Sequence, residues 1–135
     1  MLSQKTRYAM LALIKLAREE GKGAILSNDI AVSENIPRRY LEAILMDLKK
    51  LGILGSRLGK AGGYFLIRKP ENISLADVIR HFEGPLAMVP CVASDAYQPC
   101  EFCKDEQSCA LRKVFLDIYG FTFEKLQKTK LRDLL

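Results

Sequence analysis

A mainly α protein with one small β-hairpin is what this 135-residue sequence predicts, and three stretches carry the prediction. Apolar residues recur at helical spacing from Thr6 to Glu20 and again from Pro37 to Leu51. A glycine-rich segment, Gly59–Gly63, separates two short apolar runs, the pattern of a hairpin turn. After an aperiodic segment that holds every cysteine, a last helical stripe runs on from Cys109.

In chain order, Ala9, Ala12, Leu13, Leu16 and Ala17 form one stripe of the first helix, while Met10, Leu11 and Ile14 form a second. A helix apolar on two sides is expected to be covered on two sides, the second by a further element such as another subunit. Gly21 and Gly23 end it. Ser27 is read as the N-cap of a brief helix through Ser33. Glu34–Ile36 makes a turn, and Pro37 opens a helix with Tyr40, Leu41, Ile44, Leu45 and Leu48 facing inward. Two short helices joined by a tight turn, the second basic at its start, have the pattern of a helix-turn-helix. Arg38 and Arg39 fall where a recognition helix meets base edges. Arginine suits guanine O6 and N7, and Glu42 one turn on suits cytosine N4. A helical hairpin with a merely charged surface fits the same two helices.

The hairpin narrows the choice. Strands are expected within Gly52–Leu58 and Tyr64–Ile67, with Lys60 at the tip, Arg57 on the approach, and Arg68 and Lys69 on the exit. Directly after a recognition helix, such a hairpin reads as a wing able to touch phosphates or a minor groove. The glycine spacing fits neither a dinucleotide fingerprint nor a Walker loop. Pro70 closes the wing, and Ser74 caps a helix from Leu75 to Phe82 that Gly84 and Pro85 stop. His81, the only histidine, sits near that helix's end, where its charge is favourable. Metal ligation by His81 is the lesser alternative.

Charge divides along the chain. Residues 1–69 hold 13 Lys and Arg against 6 Asp and Glu, whereas residues 70–135 hold 8 against 10. A segregated positive half points to a polyanion, because binding phosphates releases condensed counterions. Apolar residues make up 49% of the chain and charged residues 27%, the balance of a single domain with an appendage. The first apolar run is too short, and with Lys15 and Arg18 too charged, to span a membrane, and it lacks the marks of a secretory signal. A cytoplasmic location without membrane contact is expected. There, clustered cysteines are metal ligands or redox thiols more readily than a disulfide framework.

The stretches TRYAMLALIKLA, IPRRYLEAILMDLKKLGIL, LGKAGGYFL and ISLADVIRHFEGP resemble the Rrf-type winged-helix transcriptional regulators, the group containing IscR and NsrR. The resemblance covers nearly the whole chain. It implies a homodimer on pseudo-palindromic, double-stranded promoter DNA and, in many members, an iron-sulfur cluster on three cysteines. Through the family's Tyr-Leu-Glu motif and its wing, the DNA-reading set becomes Arg38, Arg39, Tyr40, Glu42, Arg57, Lys60, Gly62 and Gly63. The expected division is a DNA-binding domain over residues 1–85, a sensor loop over 86–108, and a dimerisation helix with its tail over 109–135.

The cysteines are spaced C-x8-C-x2-C-x5-C. Soft thiolates suit an iron-sulfur cluster or zinc. Cys103 and Cys109 match the family's last pair, and Cys91 takes the place of its first, leaving Cys100 extra. Some members draw a fourth ligand from a histidine three residues after the last cysteine, where this chain has Arg112. Others use a carboxylate just before the Tyr-Ala of the first helix, where it has Arg7. Neither cation can ligate, so Cys100 is the candidate fourth ligand to a cluster of the 2Fe-2S or 4Fe-4S type, with zinc less favoured. Four uncomplexed thiols, reduced or disulfide-linked, are the plain alternative. No catalytic motif accompanies them, so an enzyme is not expected. The competing functions are an iron-sulfur or zinc electron carrier or metal chaperone, which leaves the basic wing unexplained, and a cluster-free regulator sensing another signal. The last helix is read as capped by Ser108, with Leu111, Val114, Phe115, Ile118, Thr122 and Leu126 as its stripe and a two-fold partner as its cover.

Overall fold

The computed structural model describes residues 2–135. Helix α1 (Gln4–Arg18) begins earlier than the apolar stripe because the Ser3 hydroxyl accepts from the Thr6 backbone N–H at 3.2 Å. It ends at Arg18, short of the expected Glu20, with Gly21 following at φ 85°. Its inner stripe, Ala9, Ala12, Leu13, Leu16 and Ala17, is buried as expected. Met10 and Ile14 are only half-buried and Leu11 is exposed, so within one chain the second stripe lacks full cover.

Helix α2 (Ser27–Glu34) and helix α3 (Arg38–Lys50) form the predicted pair. Asn35 takes the left-handed conformation, φ 54° and ψ 46°, that lets the chain turn sharply between them. Two boundaries differ from expectation. Ser27 lies inside α2 behind an N-cap at Leu26, and Pro37 is the N-cap of α3 rather than its first helical residue. Leu41, Ile44, Leu45 and Leu48 are fully buried, the i, i+3, i+4, i+7 set. Tyr40, expected inward, is 48% exposed. It belongs to the first turn, at the edge of that stripe, and its ring lies 6.5 Å from that of Tyr8.

Strands β1 (Leu54–Arg57) and β2 (Gly63–Leu66) pair antiparallel, with Leu54 opposite Leu66 and Arg57 opposite Gly63. Leu58 falls outside β1. The wing is fastened along the outer edge of β2: Ile25 and Tyr64 exchange backbone hydrogen bonds of 2.9 and 2.8 Å. A short 3-10 turn at Pro70–Asn72 leads to helix α4 (Leu75–Glu83), capped by the Ser74 hydroxyl accepting from the Asp77 N–H at 3.1 Å. Glu83 at the end of α4 accepts from the Ser3 N–H at 2.7 Å and from the hydroxyl of buried Thr6, which ties α4 to the start of α1. The Thr6 and Ser3 donors hold the Glu83 carboxyl below the usual range.

Helix α5 (Ala110–Lys128) is long, and its cap is Cys109 rather than Ser108, the sulfur accepting from the Arg112 N–H at 3.4 Å. None of its residues is buried, and Leu111, Val114, Leu116, Ile118 and Phe121 are exposed. The tail beyond α5 has a place that the sequence reading leaves open. It returns to the core of the N-terminal helices: Lys130 bridges to Ser74, the Leu131 N–H donates to the Ile73 carbonyl at 2.9 Å, and Leu131 is fully buried in the same core as Leu13, Leu45 and Val78. No helix among the described residues is long and apolar enough to cross a membrane.

A fully buried leucine contributes through both transfer and packing, so Leu131→Ala is expected to cost about 2–5 kcal/mol. A denaturant titration checks this. A change below about 0.5 kcal/mol, the range of an exposed position, contradicts the tail's place in the core.

Candidate nucleic-acid interface and metal centre

Two features of the surface stand apart, one on α3 and the wing, the other beside the start of α5. On α3, the sequence needs the Leu41–Leu48 stripe in the core, which turns Arg38, Arg39, Tyr40, Glu42 and Met46 outward. These side chains are organised among themselves. Arg38 Nε lies 3.3 Å from Glu42 Oε1, one helical turn on. The Arg39 guanidinium covers the Tyr40 ring with 4.7 Å between its central carbon and the centroid, and Nη2 donates to the Tyr40 hydroxyl at 2.8 Å. The ion pair is exposed and adds little stability. Its effect is to hold both side chains in one place above the helix.

Beside them stands the wing. Lys49 Nζ donates to Ser56 Oγ at 2.6 Å, bracing the end of α3 against β1. Arg57 lies over the Phe65 ring at 4.9 Å, Lys60 is exposed near the tip, and Leu58 is fully exposed. Gly62 and Gly63 are needed by the wing itself. A Cβ on Gly62 would come within 2.5 Å of the Arg57 carbonyl oxygen, and Gly63, at φ 129°, passes against the Ile25 backbone too closely for any side chain. The family motif groups both with the DNA contacts. The structure accounts for them as the reason the wing closes and docks on Ile25.

The second feature is a cavity of about 380 Å³ lined by Cys91, Cys100, Cys103 and Cys109 together with Arg112, Phe102 and Phe115. All four cysteines are free thiols. They arrive from different local structures: Cys91 from a 3-10 turn at Pro90–Val92, where it is buried, Cys100 and Cys103 from the following loop, and Cys109 from the cap of α5. Burial pushes the Cys103 thiol up, and the neighbouring Cys109 and Cys100 sulfurs push it the same way, against a lowering hydrogen bond from the Asp105 backbone. Among the described residues no three His, Cys, Asp or Glu side chains converge closely enough to hold a single metal ion. The thiols surround a volume and do not meet at a point.

The loop that carries them is fastened to its surroundings by polar contacts that no sequence pattern announces. Arg80 of α4 pairs with Asp95 and lies over Phe123 of α5, with 5.5 Å to the ring centroid. Ser94 and Tyr119 hydroxyls share a hydrogen bond of 2.6 Å, and the Tyr97 hydroxyl donates to Glu106. That carboxylate, with partial burial, raises the Tyr97 phenol above its ordinary value. These residues lack periodicity and fixed spacing, so only the fold brings them together. Arg112, which cannot ligate, also lines the cavity. Its Nε is, among the described residues, the one buried polar side-chain atom without a hydrogen-bond partner. Leaving such a donor unmet costs about 1–3 kcal/mol, more where it is charged. His81 is exposed, with its ring 4.9 Å from that of Phe82, and does not line the cavity.

Against known proteins, the model of a family described as Rrf2, iron-dependent transcriptional regulator, matches residues 2–135. The chain belongs to the Rrf2 family. A curated Rrf2-like HTH-type transcriptional regulator of Rhodobacter capsulatus is 38% identical over 100% of this chain and 92% of its own length. Among solved structures, CymR of B. subtilis, described as the global cysteine regulator, superposes with a TM-score of 0.82 at 33% identity, covering 99% of this chain and 95% of that one. IscR of T. potens gives a TM-score of 0.77 at 26% identity over 99% of this chain and 85% of that one. This Rrf2 protein is a DNA-binding transcriptional regulator with a winged-helix fold, and its relatives are regulators, not enzymes. The electron-carrier and metal-chaperone alternatives give way to that assignment.

Proposed function

We propose that this Rrf2 regulator is a cytoplasmic homodimer that reads pseudo-palindromic promoter DNA through α3 and the wing, under the control of an iron-sulfur cluster held in the thiol-lined cavity. The observation that carries the reading is the meeting of all four cysteines around one cavity at the cap of α5. The chemistry of this donor set fits a cluster better than zinc. A tetrahedral zinc ion draws four sulfurs to about 2.3 Å from one point, whereas a polynuclear centre spreads its thiolate ligands over several metals. Cys91, Cys103 and Cys109 would hold the cluster, with Cys100 as the fourth ligand, since Arg7 and Arg112 are cations. When bound, it supplies a centre that nitric oxide, oxygen, iron supply or electrons can change. The chain's own residues do the rest. Cys109 caps α5, Tyr119 and Phe123 on α5 meet the loop and α4, and α4 is joined to α1 through Glu83. The exposed face of α5 and the open stripe of α1 are the surfaces a second copy covers, an arrangement that suits two half-sites about 34–36 Å apart.

On α3, Arg39 and Tyr40 act as one unit at base edges, Arg38 and Glu42 flank it, and Arg57 and Lys60 take phosphates. Arg39→Ala is expected to lose sequence preference, and Lys60→Ala to weaken binding on all sequences alike with a shallower salt dependence. Binding to duplexes selected from a random pool, measured across salt, checks this, and equal loss on every duplex for both variants contradicts the division of roles.

The likeness to CymR favours a second reading, in which the cavity serves a regulator without a cluster. Anaerobic purification from iron-replete cells, with an absorption spectrum and iron and sulfide assays, separates the two. The proposal expects a coloured protein with matching iron and sulfide, and a changed spectrum or content in Cys100→Ala. A colourless, iron-free protein contradicts the cluster. An unchanged Cys100→Ala removes Cys100 from the ligand set.

A further inference from the structure

Arg112 is the third residue of α5, and its backbone N–H is used in the Cys109 cap. Its side chain runs along the wall of the cavity that the four cysteines line, and its Nε is buried there without an acceptor. The neighbouring Tyr97 hydroxyl turns to Glu106 and does not serve Arg112. A cation so placed cannot ligate iron, yet it is a fixed donor beside thiols that must lose their protons when metal binds.

We propose that Arg112 anchors the cluster from outside its ligand shell, its Nε–H donating to a sulfide or cysteinate sulfur and its charge offsetting that of the thiolates. The proposal rests on the cluster reading above. A hydrogen bond and a positive charge at the sulfurs favour the more negative, reduced state, so Arg112 raises the cluster's reduction potential. A bound cluster would supply the acceptor that the protein's own groups do not give Nε.

The test uses the full chain, reconstituted anaerobically with ferrous iron and sulfide, as wild type, Arg112→Met and Arg112→Lys. Four quantities are read: iron and sulfide content, midpoint potential, release of iron to a chelator, and thermal melting with and without cluster. The expected result is that Arg112→Met accepts a cluster but holds it at a lower potential and releases iron about 10–100-fold faster. Arg112→Lys, which keeps the charge and loses the planar donor, falls between. Without cluster, Arg112→Met melts no lower than wild type, because it removes a donor that had no partner. Variants with wild-type potential and release at equal iron content overturn the inference while leaving the cluster intact. A loss of melting temperature in Arg112→Met that is the same with and without cluster also overturns it, because Arg112 is then only a packing residue. Wild type that takes up neither iron nor sulfide defeats the underlying cluster reading, and does so before any variant is compared.

Discussion

Helix α5 is held at both ends, half-covered along one face by α4 and the cysteine loop, and open along the other. At its C-terminal end Leu131 is buried in the core that α1 and α3 build, and Thr129 accepts a backbone hydrogen bond from Leu75 at 3.0 Å. At its N-terminal end Cys109 is both the helix cap and part of the cavity wall. Between them run 19 residues, about 28 Å of helix at 1.5 Å per residue. Leu111, Val114, Leu116, Ile118 and Phe121 on this rod, and Phe102 on the loop before it, are exposed large apolar side chains. On the proposed reading, a local event at the cap would bias a long lever that cannot simply swing away, because its far end is anchored through Leu131 in the core that α1 and α3 build. Control of a two-state arrangement by metal needs this kind of mechanical continuity.

The DNA-reading face shows the complementary property of being arranged in advance. Arg38 with Glu42, and Arg39 with Tyr40, are already paired above α3, and Lys49 reaches across to the wing. Less side-chain freedom is then lost on binding than from a free array of long cations. The wing is likewise preset, by Gly63 passing under Ile25 and by the Ile25–Tyr64 bridge. On the proposed reading, positive charge concentrated in residues 1–69 would steer the molecule to DNA and these fixed pairs would set register.

Much of this is legible in the sequence, and the reasons are specific. The buried stripes of α1 and α3 obey simple periodicity, Asn35 and the GKAGG segment are turn chemistry, and Ser74 is a cap, so local rules suffice for the helices and hairpin. Four cysteines within a short polar segment likewise single out the stretch that lines the cavity. Local rules do not reach anything set by the return of the chain on itself. Leu131 looks like a tail residue until Ile73 and Ser74 are seen beside it. Cys91 looks like loop and is buried, because a 3-10 turn at Pro90 folds it inward. Tyr40 looks like core by spacing and is exposed, because the first turn of α3 projects past the core. Arg112 reads only as a missing ligand, since nothing in a sequence says that a guanidinium nitrogen will be buried without a partner.

The central claim is that occupancy of the thiol cavity and DNA reading are coupled through α5. It is tested most directly by measuring, under anaerobic conditions, the Kd for a selected duplex with one protein preparation before and after cluster loading. A coupling of about 5–150-fold between the two states, of either sign, is the predicted result. Equal affinity in both states, with cluster content verified in the same samples, contradicts it.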